Sequence, residues 1–359
     1  MVQKNSSFLL LFLLLWSCAE SQSKNESEIT PTQVTSTIPY TAHLKYTEGV
    51  CAMLEDSKGN MWFGSYNEGA CKYDGASFTY YTTKDGLLHN QVRTIQEDKY
   101  GHIWFGTASG PCSFDGTKII QHDIIDTPSL VNLSVHYGTI DSEDRWFHGG
   151  NYAGLYRYHD SLLTFLPFSI PDGTDEISPY LVTGIARSTS KNLYFCTYNY
   201  IGSYDGKRFR FVGEKELGKT ELEGHLHIRS IYLDTKGRLW VGNNSIGILR
   251  KNGSTFENFS SQQNLRTNPL LNHNSLPSTN PLEHVFAIGE DNKGNIWFGD
   301  RDTGAWRYDG KNMKNYSIND GLPCAHIWQI YNSKQDGLLF AMGCEGVYKF
   351  NGTGFEQAY

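Results

Sequence analysis

Short apolar segments separated by polar turns recur along the chain, and residues 92–120 show the pattern in full. Residues 92–96 read as a first strand, and 98–101 form a hairpin turn in which Gly101 can adopt positive φ. Residues 103–107 and 110–114 read as the second and third strands. An Asp115-Gly116 turn then leads into a fourth. The unit therefore predicts four antiparallel strands.

The same unit occurs seven times, with starts near residues 50, 92, 137, 182, 228, 285 and 327. A large apolar residue marks the second strand of each unit: Trp62, Trp104, Trp146, Tyr194, Trp240, Trp297 and Leu339. A buried indole between adjacent units explains this position structurally. Seven four-stranded antiparallel units predict an all-β fold, a single seven-bladed β-propeller over residues 37–359.

The repeat resembles the two-component regulator propeller family. The match is Val-x-x-Ile-x-Glu-Asp-x-x-Gly-x-x-Trp-Phe-Gly-Thr at residues 92–107, and Asp-Gly-Leu precedes it at 85–87. The resemblance implies an extracytoplasmic sensor, which in that family is often joined to a membrane helix and a cytoplasmic kinase. Neither these nor a DNA-binding region follow the repeats. We therefore expect no direct signalling across the membrane by this chain.

The first residues predict export. Lys4 precedes an apolar run over residues 8–16, which is too short to span a bilayer and is typical of a secretory signal over residues 1–17. Leu15-Trp16-Ser17-Cys18 resembles a bacterial lipobox, which implies lipidation of Cys18; the alternative is an ordinary signal with an incidental cysteine. Polar residues 18–36 read as a flexible tether. We expect a bacterial cell-envelope protein held by its lipid, and Ala19 favours the outer membrane.

Composition and motifs narrow the functional classes. The net charge is −7 without a long basic run, so nucleic acid is not an expected partner. No nucleophile elbow, phosphate loop or metalloprotease helix occurs, and we predict no enzyme activity, cofactor or bound metal.

One rim of the propeller gathers histidines at an equivalent position. Inner strands start and second strands end on the same face, so these positions form a ring. The residue before the inner strand is histidine in four units: His136, His227, His284 and His326. Such a ring suits an anionic ligand or a transition metal, although histidine is also common in strand-entry turns.

Loops after the second strands supply further candidates on this rim. Aromatic faces beside amides suit a neutral sugar or a peptide, although exposed loops also have this composition without a function. The candidates are Tyr66, Asn67, Tyr152, Tyr198, Tyr200, Asn243 and Arg301. Three functions remain open: a lipoprotein that binds or senses a glycan or peptide, a scaffold for envelope proteins, and a lyase or hydrolase using rim His and Tyr.

Two further predictions concern covalent and topological closure. Cys324 and Cys344 lie opposite one another across the hairpin of unit seven, which predicts a disulfide in an oxidising compartment.

The ring closes in one of two ways. Residues 355–359 form the outer strand of unit seven, or residues 40–46 add a strand beside that unit. We favour the second arrangement, an N-terminal latch.

Overall fold

The computed structural model describes residues 43–47, 49–126, 143–169, 178–187, 192–218, 224–267 and 280–359. These residues contain seven four-stranded sheets. The strands, blade by blade, are β1–β4 (Val50–Glu55, Met61–Ser65, Ala70–Tyr73, Phe78–Tyr81), β5–β8 (Val92–Glu97, Ile103–Thr107, Gly110–Phe114, Ile119–Gln121), β9–β12 (Ile124–Asp126, Arg145–His148, Gly154–His159, Leu162–Pro167), β13–β16 (Val182–Arg187, Leu193–Thr197, Ile201–Tyr204, Phe209–Val212), β17–β20 (Ile228–Leu233, Leu239–Asn243, Gly247–Asn252, Thr255–Asn258), β21–β24 (Val285–Glu290, Ile296–Asp300, Ala305–Tyr308, Met313–Tyr316) and β25–β28 (Ile327–Ser333, Gly337–Met342, Val347–Phe350, Phe355–Gln357).

The sheets are arranged as blades in a ring. In six of them the strands follow chain order from the inner strand outward, joined by antiparallel hairpins. Where both inner strands of neighbouring blades are described, they contact one another, and the first blade meets the seventh where β1 contacts β25. The predicted fold class, an all-β seven-bladed propeller, is therefore confirmed.

The third blade departs from uniform antiparallel pairing. Its described sheet has the order β10-β11-β12-β9, and β9 pairs parallel with β12 at the outer edge. The reason is connectivity: β9 precedes β10 to β12 in the chain instead of following β12 across a hairpin. The inner strand predicted near residue 137 lies outside the described residues.

The marked tryptophans fill the space between blades. In four blades the indole packs against a phenylalanine of the next blade, with ring centres 5.3–5.7 Å apart. Each of these indoles also donates its N–H to the aspartate of the preceding hairpin turn, at 2.8–2.9 Å. The pairs are Trp62–Asp56, Trp104–Asp98, Trp240–Asp234 and Trp297–Asp291. The repeat motif therefore encodes both the turn and the packing between blades.

The Asp-Gly-Leu motif encodes the connection between blades. It ends the 3-10 turn Thr83–Asp85, where the carboxylate of Asp85 accepts the backbone N–H of Thr82. Gly86 follows at φ 109°, a conformation that favours glycine, and Leu87 is buried. The same arrangement recurs at Ile318–Asp320. Other short helical turns in the described ranges are Ser178–Tyr180 and Phe259–Gln262.

The chain ends close the ring differently from our prediction. The outer strand of blade seven is β28, from the C-terminus, and described residues 43–47 form no strand, so the latch strand is wrong. The side chains of Leu44 and Tyr46 instead pack into the core shared by blades one and seven. The Tyr46 hydroxyl donates to the Gly69 carbonyl at 3.1 Å. An apolar side-chain contact thus replaces strand pairing here.

Glutamates at the ends of inner strands connect neighbouring blades. Glu97 accepts hydrogen bonds from Ser57 of blade one, and Glu290 accepts them from Thr235 of blade five. Glu55 does the same across the closure, with Ser333 Oγ at 2.7 Å and the Lys334 N–H at 2.6 Å. The glutamate contact that joins the first blade to the last is therefore of the same kind as the two glutamate contacts between neighbouring blades within the ring.

Candidate functional site: the axial mouth

A bulge at the start of each described inner strand determines which side chain reaches the axis. The register shifts between the first and third residues of β1, β5, β13, β17, β21 and β25. The first residue is buried between blades, and the second borders the central cavity. These second residues are Cys51, Arg93, Thr183, Arg229, Phe286 and Trp328.

Together with Tyr66, Tyr198 and Val182, these six side chains enclose a cavity of about 260 Å³, which we call the axial mouth. It opens on the face that carries the predicted rim. A second cavity of about 250 Å³ shares Arg93 and includes Thr94 and Gln329 in its lining. Thr94 Oγ1 and Gln329 Oε1 are buried without a hydrogen-bond partner among the described residues.

Arg229 is held by aromatic rings. Its guanidinium lies 5.2 Å from the ring centre of Tyr198 and 4.9 Å from that of Phe286, distances at which a cation is attracted to a π face. Its Nε is buried and has no hydrogen-bond partner among the described residues. The rings thus hold the guanidinium, and its Nε remains a donor without a partner among the described residues.

Arg93 is the second cation of the axial mouth. Its Nε and Nη2 donate to the neutral amide oxygen of Gln91, the Nε at 3.0 Å and the Nη2 at 2.6 Å. Burial raises the pKa of the neighbouring Cys51 thiol to about 12, although the charge of Arg93 opposes this. The thiol is therefore protonated near pH 7 and is a poor nucleophile.

Trp328 forms an aromatic wall. Its ring stacks on His326 at 4.6 Å and on Tyr66 at 6.2 Å, and meets Phe286 edge-on at 5.5 Å. Tyr66 is half exposed. Such rings offer flat apolar faces next to the two guanidinium groups.

The predicted histidines on blades five to seven lie close together, whereas His136 lies outside the described residues. The Asn244 side chain contacts His227 Nδ1 at 3.4 Å and His284 Nδ1 at 3.2 Å. His284 Nε2 lies 3.7 Å from Asp302 Oδ2. His326 Nε2 is buried without a hydrogen-bond partner in the described ranges. Within those ranges, no group of three or more His, Cys, Asp or Glu side chains is arranged to hold a metal ion.

The environment keeps two of these rings neutral. Burial lowers the pKa of His227 below 6.5, and the nearby charge of Arg229 lowers it further. Burial likewise lowers the pKa of His326, with Arg301 and Arg229 adding to the effect. Arg301 itself is engaged, because its guanidinium donates two 2.8 Å hydrogen bonds to the Asp302 carboxylate. The rim therefore has fewer free charges than its histidines suggest.

The loop candidates divide into two groups. Tyr66 and Tyr198 line the axial mouth, whereas Asn67 and Tyr152 are exposed and are not among its lining residues. Tyr200 stacks on Tyr180 within blade four.

Asn243, another loop candidate, is fully buried, and its side-chain oxygen accepts the Ile246 N–H at 3.3 Å. It therefore builds a turn.

The residues that our sequence reasoning missed are the second residues of the inner strands. The histidine position before the strand drew attention because it repeats, whereas the second position varies from blade to blade. That variation was the available signal. In these otherwise regular strands, the second position holds a different residue type in most blades, and it is the position that borders the cavity.

The disulfide lies beside this rim. Cys324 and Cys344 are bonded in the structure, and they join the entry of β25 to the exit of β26. Cys71, Cys112 and Cys196 are buried and unpaired. No helix within the described ranges is long and apolar enough to cross a membrane.

Three segments of the chain match a known family of repeats. Residues 47–67, 86–109 and 223–245 match the model described as "Two component regulator propeller". Comparison with curated proteins gives no match.

Solved structures show the same fold. The extracellular domain of the hybrid two component system BT3049 from B. thetaiotaomicron aligns with a TM-score of 0.59 at 19% identity, over 85% of this chain and 39% of that one. A similar domain of BT4673 from the same organism gives 0.58 at 18%, over 85% and 38%. This chain thus spans about two fifths of those domains.

A catalytically inactive virginiamycin B lyase from Staphylococcus aureus, in complex with quinupristin, gives a TM-score of 0.59 at 16% identity, over 85% of this chain and 96% of that one. At such identities the likeness concerns the fold alone. The repeat assignment rests on the matched segments, and it agrees with the prediction from the motif. The chain is thus a seven-bladed propeller, and three segments of it match the two component regulator propeller repeat.

Proposed function

We propose that the chain is an extracytoplasmic module that binds or senses a glycan or peptide at the axial mouth. One observation carries the proposal: six inner strands place non-repeating side chains, two of them arginines, around a single cavity. A purely structural axis has no need for partly buried guanidinium groups that lack acidic partners among the described residues, because charge removed from water is costly. The similarity to extracellular domains of two component systems supports the extracytoplasmic location.

The chemistry of the axial mouth suits ligand binding. Pockets that bind small molecules combine apolar and aromatic walls with a few polar groups that fix orientation. Trp328, Phe286 and Tyr198 supply the walls here, and Arg93 and Arg229 supply the donors. The lipid at Cys18 would keep the module at the envelope, where such ligands arrive.

A binding screen tests this function. The wild-type protein is applied to a glycan array and to a peptide library, alongside Trp328→Ala and a control, Tyr100→Ala. Tyr100 is an exposed aromatic residue in the hairpin between β5 and β6, on the opposite face. We expect Trp328→Ala alone to lose the bound ligand. Equal binding by both variants would place the site elsewhere, and a lack of any glycan or peptide ligand would favour an envelope scaffold.

A lyase or hydrolase is the second candidate. The shared fold of the Staphylococcus aureus lyase and the unpartnered Nε2 of His326 favour it, because a neutral imidazole can act as a base. Mass spectrometry of the bound ligand after incubation separates the two functions. A cleaved product that disappears with His326→Ala would indicate catalysis, and an unchanged ligand would indicate binding.

A further inference from the structure

We propose that the axial mouth recognises a carboxylate, specifically that of a uronic acid residue at the end of an oligosaccharide, and that Arg229 is its principal contact. The inference rests on the proposed function and names the ligand class. It follows from the two charges that line the cavity, from their lack of described acidic partners, and from the flat rings around them.

The charge balance of the cavity is one-sided. Its lining includes the guanidinium groups of Arg93 and Arg229 and no carboxylate among the described residues. Neither arginine forms an ion pair with a described acidic side chain, whereas the nearby Arg301 is paired with Asp302. An anionic group that enters the mouth would therefore meet two guanidinium groups, and no ion pair with a described residue would have to break before it binds.

Arg229 is oriented in advance for such a group. The faces of Tyr198 and Phe286 hold its plane, so little side-chain freedom is lost when a ligand binds. The buried Nε lacks a partner among the described residues, and the guanidinium fork donates through Nε and a terminal nitrogen together when it binds a carboxylate in bidentate fashion. Lysine cannot reproduce this geometry, since its ammonium is a single point charge.

The remaining walls favour a sugar ring. Trp328, Tyr66 and Tyr198 place aromatic side chains in the lining of the cavity, with Trp328 stacked on Tyr66 and Tyr198 beside Arg229. A volume of about 260 Å³ is slightly smaller than a typical ligand pocket, which suits one terminal residue of a longer molecule. A carboxylate joined to a ring with an apolar face, which describes a uronic acid, matches both features. An acidic peptide end matches only the charge.

Paired ligand mixtures test the proposal. Oligosaccharides from partially hydrolysed pectin and from an unsulfated glycosaminoglycan are each divided in two, and one half is treated with carbodiimide and borohydride, which converts every carboxyl group to a primary alcohol. Retention on the immobilised full chain is compared for both halves and for a tryptic peptide mixture. The variants are Arg229→Gln, Arg229→Lys and the control Arg210→Gln, which changes a cation on the outer strand β16.

The expected result is retention of the acidic halves alone. Arg229→Gln should weaken binding at least about tenfold, as expected for the loss of hydrogen bonds to a charged group, and Arg229→Lys should be only partly better. Raising the salt concentration should weaken binding by the wild type. Arg210→Gln should bind like the wild type. The melting temperature of Arg229→Gln should be that of the wild type, which separates lost binding from lost folding.

The alternative outcomes each overturn a different statement. Equal retention of the carboxyl-reduced halves, or retention of peptides alone, would refute the uronic acid and leave the proposed function standing. Undiminished acidic binding by Arg229→Gln would refute the role of Arg229. Retention of no glycan and no peptide would refute both the inference and the proposed function.

Discussion

Substitution of Glu55 by glutamine tests how the ring is closed. Glu55 is 8% exposed and lies at the end of β1, and its carboxylate receives hydrogen bonds from three consecutive residues of blade seven. The shortest come from Ser333 Oγ at 2.7 Å and the Lys334 N–H at 2.6 Å; Gln335 adds its backbone N–H at 3.4 Å and Nε2 at 3.3 Å. No covalent connection joins these blades directly, so the contact replaces the linker found at other junctions.

The magnitude follows from the two short bonds. A hydrogen bond to a charged group contributes about 1.5–3 kcal/mol, and glutamine keeps one acceptor oxygen while placing an N–H₂ group towards the remaining donors. We therefore expect Glu55→Gln to lower the free energy of unfolding by about 2 kcal/mol. For a chain of this length that corresponds to a fall in Tm of about 3 °C.

The pH dependence gives the effect a sign. Burial alone would raise the pKa of Glu55, but hydrogen bonds from Ser333, Lys334 and Gln335 outweigh it and hold the pKa below the ordinary value of 4.5. The stabilisation is thus fully present above about pH 4.5 and is lost as the pH falls through the lower folded-state pKa. The difference between wild type and Glu55→Gln should accordingly shrink towards zero in acid.

Urea unfolding followed by tryptophan fluorescence, at several values between pH 7 and pH 3, measures this difference. Glu290→Gln removes the equivalent contact with Thr235 within the ring and should also destabilise the protein. Glu356→Gln changes an exposed glutamate that pairs with Lys349, and its cost should be at most about 0.5 kcal/mol. Stability of Glu55→Gln equal to that of Glu356→Gln, or a difference that does not change with pH, would refute the reasoning.

Three further predictions concern the repeat, the disulfide and the anchor. Trp240→Phe should cost about 2 kcal/mol more in urea unfolding than Trp146→Phe, because the first removes a donor from buried Asp234 while the Trp146 Nε1 has no described partner; equal costs would contradict this. Cys324→Ser removes the disulfide that closes a loop of 20 residues, and it should lower the free energy of unfolding by about 3 kcal/mol. An unchanged unfolding midpoint would contradict this expectation. Cys18→Ala should move the protein from the membrane to the soluble fraction on fractionation, and continued membrane association would exclude the lipid anchor.

The fold could be predicted because the repeat encodes it locally. Each segment from the turn aspartate to the tryptophan specifies a turn, a strand and a contact with the next blade. In blade five, Trp240 on the strand donates to Asp234 in the turn and packs against Phe298 of the next blade. The way in which the N-terminal residues contribute to closing the ring could not be predicted from the repeat. Leu44 and Tyr46 alternate like a half-buried strand, yet the same alternation buries them as side chains without any backbone pairing. Apolar periodicity reports burial and does not report which hydrogen bonds accompany it.

From strand direction, the sequence reasoning selected the face on which the axial mouth opens, and two of its candidates, Tyr66 and Tyr198, line that cavity. Asn243 ends a strand, where an asparagine resembles a ligand donor, but its side chain is buried in its own turn. Arg229 was missed because a bulge shifts the strand by one residue, and a bulge leaves no mark on the apolar pattern.

The bulge separates the two tasks of the inner strand. The first residue, such as Ile228, is buried between blades and is constrained to be apolar by packing. The next residue, here Arg229, borders the cavity, and its type differs from blade to blade. The repeat that builds the blades therefore does not specify the residue at this position, so arginine or tryptophan there calls for an explanation outside the repeat. The six described second residues of the inner strands are accordingly the place where propellers with this repeat can differ in ligand while sharing one architecture.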